Sequence, residues 1–111
     1  MIDEKLLHNL IVGHLRERLK RDYKEIEINP AGKPDLVLAN YGLVLAQVEV
    51  ETEGSITTEN AEVWNGMIKP GIKLILMIPK NSKVKVTELL WQKGIADKVS
   101  IGTYDLSITM P

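Results

Sequence analysis

The chain has no cysteine and no phenylalanine, and aromatic residues make up only 5% of its 111 positions. The first absence removes disulfides, thiolate metal sites and a cysteine nucleophile together, leaving carboxylates and two histidines to hold any metal. The second leaves a core built from Ile, Val and Leu. No segment approaches the roughly 18 consecutive apolar residues of a membrane span, and Met1-Ile2-Asp3-Glu4-Lys5 carries no basic leader, so a cytoplasmic protein without membrane contact is expected. Excess positive charge is missing too. Fourteen Lys and Arg stand against 15 Asp and Glu, a net charge of −1, which excludes a protein that coats nucleic acid by bulk charge alone. There is also no Gly-rich phosphate loop and no Ser-His-Asp arrangement.

What remains is the composition of one globular domain spanning 1–111, with 44% hydrophobic and 26% charged residues. Folding at this length should bury roughly two-thirds of the unfolded chain's surface. Residues 3–21 read as a helix, because Leu7, Ile11, Leu15 and Leu19 recur every fourth position with Leu6 and Leu10 beside them. A short strand over 23–28 ends at the turn formers Asn29-Pro30-Ala31-Gly32. Two apolar runs, 36–39 and 43–51, flank Asn40-Tyr41-Gly42 and read as a hairpin. Ser55 or Thr57 caps a second helix ended by Pro70-Gly71, 72–78 is an apolar strand, Asn81 or Ser82 caps a third helix stopped by Gly94, and a last strand covers 99–104. The order α-β-β-β-α-β-α-β implies an α/β domain with a mixed central sheet, antiparallel at first and parallel after the helical crossover, flanked by helices on both faces.

The chemistry-bearing segment is Lys33-Pro34-Asp35-Leu36-Val37-Leu38 followed by Ala46-Gln47-Val48-Glu49-Val50-Glu51. Strand alternation sets Gln47, Glu49 and Glu51 on one face and Ala46, Val48 and Val50 on the other. A three-residue loop over 40–42 sets Asp35 opposite Gln47 and diagonal to Glu49, within about 7–8 Å, whereas a two-residue loop puts Asp35 on the other face. Like charges gathered at strand ends repel, and a divalent cation relieves the repulsion. Oxygen ligands select Mg²⁺ or Mn²⁺ over zinc, and the chemistry such an ion supports is phosphodiester hydrolysis.

Pro34-Asp35 and, fourteen residues after the Asp, Glu49-Val50-Glu51 resemble the PD-(D/E)xK, or restriction-endonuclease-like, nuclease superfamily, as does the element order. The resemblance implies a restriction-endonuclease-like core, an Mg²⁺-dependent endonuclease acting on DNA, metal binding by Asp35 and Glu49, and catalysis by Asp35, Glu49 and Glu51. Glu51 stands where the family carries lysine, as it does in some restriction endonucleases. The alternative is therefore a catalytically inactive nuclease-fold module for nucleic-acid binding or assembly, and a third possibility is an α/β interaction protein with an acidic surface. Lys33, near Asp35, and Lys73, at the start of the next strand, are the candidates for a substitute cation. Because family members often add a carboxylate from the first helix, Glu4 is a further metal-ligand candidate and Glu17 the second choice.

Gln47 is a candidate for hydrogen bonding a ligand or metal-bound water. Arg16, Arg18, Lys20 and Arg21, with Lys33, form a candidate nucleic-acid contact, although a charge run on a helix end is ordinarily a solvated face. His14 falls in the apolar stripe as a boundary residue, and Trp64 and Trp91 are expected in the core or an interface. A domain this small covers little DNA alone, so a homodimer presenting two sites is expected. With Asp35, Glu49 and Glu51 committed to metal, 14 basic residues stand against 12 acidic ones, and the acidic excess belongs to the chemistry.

Overall fold

The computed structural model describes residues 3–29 and 32–105; Pro30 and Ala31 of the expected turn cluster lie outside them. Helix α1 (Glu4–Leu19) starts where the Asp3 carboxylate accepts the backbone N–H groups of Lys5 and Leu6, satisfying two donors that the first turn leaves without partners. Strands β1 (Glu25–Ile28), β2 (Leu36–Asn40) and β3 (Leu43–Val50) follow as an antiparallel meander. A 3₁₀ turn (Glu53–Ser55) and helix α2 (Thr58–Met67), capped by Thr57, lead to β4 (Lys73–Pro79). A second 3₁₀ turn (Lys80–Ser82) and helix α3 (Lys83–Gln92), stopped at Gly94 with φ 70°, lead to β5 (Val99–Tyr104).

The sheet order is β1-β2-β3-β4-β5, antiparallel through β3 and parallel from β3 to β5, which is the mixed sheet that the element order implies. Strand β4 shows how its two faces are used. Leu74, Leu76 and Ile78 point into a core with Ile56, Trp64 and Leu90 from the α2/α3 side, while Ile75 and Met77 join Ile11, Val12, Leu36 and Val48 under α1. Helices therefore cover both faces. No helix among the described residues is long and apolar enough to cross a membrane.

The hairpin departs from the expected three-residue loop. Asn40 pairs with Leu43, so the turn is the two residues Tyr41 and Gly42, with φ of 51° and 79° as a type I′ turn requires. Such a turn alone would place Asp35 on the wrong face. One extra residue, Leu45, between the pairs Ala39–Val44 and Leu38–Ala46 forms a bulge that restores the parity, and the register then runs to Leu36–Val48. Continued by one residue, it sets Asp35 opposite Glu49 rather than Gln47.

The α1 stripe is narrower than expected. Leu7, Ile11, Leu15 and Leu19 face the sheet with Val12, but Leu6 and Leu10 are exposed, and so is His14. Trp64 is fully buried, whereas Trp91 is 71% exposed and no part of the core.

Gly42→Ala forces a side chain into the left-handed region and should cost about 1–2 kcal/mol, while Tyr41→Asn, giving the favoured Asn-Gly pair, should stabilise. Urea denaturation of both variants reads the opposite signs.

Candidate functional site

The β2–β3 ladder ends with a reciprocal exchange. The backbone N–H of Asp35 donates to Glu49 Oε1 at 3.1 Å, and the backbone N–H of Val50 donates to Asp35 Oδ2 at 2.8 Å. Each carboxylate thus takes the place of a strand carbonyl on its neighbour. Asp35, Glu49 and Glu51 are 7%, 1% and 2% exposed, unusual burial for carboxylates. They meet at one end of the sheet in a cleft of about 400 Å³ that Glu4 and His8 of α1, Lys33 and Ser55 also line.

Lys33 supplies the counter-charge. Its Nζ lies 2.6 Å from Glu49 Oε2 and 3.8 Å from Glu51 Oε1. Burial works against this ammonium, but the hydrogen bond to Glu49 and the charges of Glu49, Glu51 and Asp35 outweigh it, so its pKa stands above the ordinary value. Burial pushes Glu49 up to about 8, helped by its hydrogen bond with Asp35 and opposed by Lys33. Glu51 is also raised by burial, against the pull of Ser55, Lys33 and the Trp64 indole.

Glu51 is held by three elements. Its Oε2 accepts Ser55 Oγ–H at 2.9 Å and the Asn60 side-chain amide, and its backbone carbonyl accepts the Tyr104 hydroxyl at 2.7 Å. The Trp64 indole N–H, fully buried, lies near enough to Glu51 to influence it yet makes no well-formed hydrogen bond among the described residues. Helix α1 closes the cleft from above. Glu4 Oε1 accepts the Gly54 N–H at 2.8 Å, and His8 Nε2 lies 3.0 Å from Asp35 Oδ1. A side chain at position 54 would overlap the Glu4 carboxylate where it now lies, so Glu4 would have to swing aside.

Of the sequence candidates, Asp35, Glu49, Glu51, Glu4 and Lys33 come together. Glu17 does not: it sits on the exposed Leu6–Leu10 side of α1 and pairs with Lys20 at 3.0 Å. Gln47 is turned away, its amide donating to the Met67 carbonyl at 3.0 Å beneath α2. Lys73 pairs with Ala46, four positions along β3 from Val50, or about 13 Å from the acidic end, and is exposed. Arg16, Arg18, Lys20 and Arg21 are exposed at the far end of α1, beginning about 12 Å along the axis from His8, and do not line the cleft. His8, Ser55 and Asn60 join the site from outside the motif. The sequence offers Ser55 as a helix cap, a place that Thr57 takes, and His8 could have been found four residues after Glu4 on the same helix face.

Among the described residues no three carboxylate or imidazole groups form a ready metal cage; the carboxylate oxygens are engaged instead by Lys33, His8, Ser55, Asn60 and backbone N–H groups. The donors themselves are hard oxygens on adjacent strand ends, suited to Mg²⁺ or Mn²⁺. No protein-family model, curated protein or solved structure matches this chain.

The raised pKa of Glu49 ties stability to pH. The folded state binds this proton more tightly than the unfolded chain, so the contribution is complete below about pH 4.5 and is lost as pH rises through about 8. Glu49→Gln removes that dependence. Between about pH 5 and about pH 8 the variant's urea midpoint should therefore gain on that of the wild type.

Proposed function

We propose that the protein is an Mg²⁺- or Mn²⁺-dependent nuclease of the PD-(D/E)xK type that hydrolyses phosphodiester bonds in DNA, with the acidic end of β2 and β3 as its active site. The observation that carries this reading is the buried Asp35–Glu49 pair at adjoining strand ends, with Glu51 and an ammonium beside it. Asp35 and Glu49 would hold the ion, with Glu4 at the rim. When bound, such an ion supplies Lewis-acid polarisation of the phosphate and lowers the pKa of the attacking water. Glu51, fixed by Ser55 and Asn60, orients that water and accepts its proton, a role that suits a carboxylate raised above its usual range. Lys33 brings, from just before Asp35, the positive charge that the family carries at the position of Glu51. The cluster as it stands holds that ammonium on Glu49, and a bound ion would compete with it for that carboxylate.

One observation favours the second reading, a catalytically silent nuclease-fold module that binds nucleic acid or assembles with partners. The carboxylates are already satisfied internally, Glu49 by Lys33 and Asp35 by the Val50 N–H and His8. In either case a second copy of the chain would extend the surface available to DNA.

Cleavage of single-stranded, duplex and branched DNA with Mg²⁺ or Mn²⁺ decides between them. Asp35→Asn and Glu49→Gln should each lower the rate by at least about a hundredfold, and Lys33→Ala by about 10²–10³-fold. Since Glu49 must lose its proton to bind a cation, metal affinity measured by calorimetry should climb with pH toward about 8. Cleavage that survives both carboxylate substitutions sinks the proposed site. A wild-type protein that neither binds metal nor cuts supports the silent module.

A further inference from the structure

A second cleft, of about 690 Å³, lies at the carboxyl ends of β4 and β5 and shares Glu4 with the acidic one. Open α/β sheets take ligands beyond the carboxyl ends of their parallel strands, and this volume falls within the common ligand range of about 300–1,000 Å³. Its half-buried surface is apolar: Leu7 from α1, Pro79 ending β4 and the Tyr104 ring ending β5. The exposed rim carries the carboxylates Glu4, Glu53 and Asp105 together with Lys80 and Asn81.

Three carboxylates against one ammonium repel phosphate, so the cleft is not a second backbone site. It suits a flat, apolar group that presents N–H donors at its edge. A nucleobase has that character: its face stacks on aromatic and apolar side chains, its amino groups donate to carboxylates, and Asn pairs with purine edges. The two clefts are also joined mechanically. The Tyr104 hydroxyl donates to the Glu51 carbonyl at 2.7 Å, which fixes the ring beside the acidic cluster.

We infer that this cleft is a nucleobase subsite that takes one unpaired base of the strand whose phosphodiester lies against Asp35 and Glu49. The inference rests on the phosphodiesterase reading and adds a substrate class to it. A base inside a duplex cannot reach the cleft without leaving its stack, so single-stranded or unpaired DNA is the preferred substrate.

The experiment uses the full chain with Ca²⁺ in place of Mg²⁺ and short single-stranded oligonucleotides in which abasic positions are scanned one at a time. Binding is read by fluorescence anisotropy, and cleavage is scored separately with Mg²⁺ and Mn²⁺. One abasic position should weaken binding about 5- to 100-fold, the range expected for a stacked base. Tyr104→Leu should lose the same factor and show no further loss on the abasic strand, whereas Tyr104→Phe, which keeps the ring, should retain the base preference. Asn81→Trp, which blocks the cleft from an exposed position without entering the core, repeats the test should Tyr104→Leu unfold. Equal binding of intact and abasic strands, or no binding of either, overturns the subsite even if the wild type cleaves DNA. Base-dependent binding that both variants abolish, in a wild type that never cleaves, leaves the subsite standing and removes the hydrolytic reading.

Discussion

The exchange of hydrogen bonds between Asp35 and Glu49 is the constraint on which the rest of this end of the molecule depends. Where the β2–β3 ladder runs out, two backbone N–H groups would be left without partners in a buried place, and the side chains of the facing strands supply the acceptors. Burial of the carboxylates is therefore a consequence of closing the ladder. Their charge then demands compensation, which Lys33 provides at close range. The same carboxylates that finish the fold are the ones with chemistry to offer, so stability and activity draw on one set of atoms.

That double use explains the arrangement around them. Burial, reinforced by the neighbouring Asp35, makes Glu49 hold its proton far above the ordinary range. Helix α1 reaches over the pair with His8, while Ser55 and Asn60 hold Glu51 from the α2 side. The site is thus assembled from both faces of the sheet, on which two separate core clusters lie.

Much of this was legible in the sequence because it follows from periodicity. The four-residue spacing of Leu7, Ile11, Leu15 and Leu19, the almost unbroken apolar run over 72–78 and the alternation at Gln47, Glu49 and Glu51 each have one natural structural solution. The hairpin was not legible in full. Asn40 is a common turn residue, but in the fold it remains a paired strand residue, and Tyr41 takes the positive φ instead. No local signal distinguishes Leu45 as a bulged residue from Leu43 or Val44 as paired ones. Likewise the contacts of His8, Asn60 and Lys33 arise only when distant segments meet, and Gln47 was drawn away by a helix-end carbonyl whose position no spacing specifies.

The bulge at Leu45 has a meaning for how the chain tolerates change in length. Deleting Leu45 would leave Leu38 paired with Ala46 after the same two-residue turn, and the register from there to the acidic end would be unchanged. The bulge sits between the hairpin tip and the carboxylates, while Ala46 through Val50 are held in place by their parallel pairing with β4. Loss of that one residue can be absorbed locally. The tip of the hairpin is therefore the segment where insertions and deletions can accumulate over evolutionary time, while Asp35 and Glu49 keep facing one another.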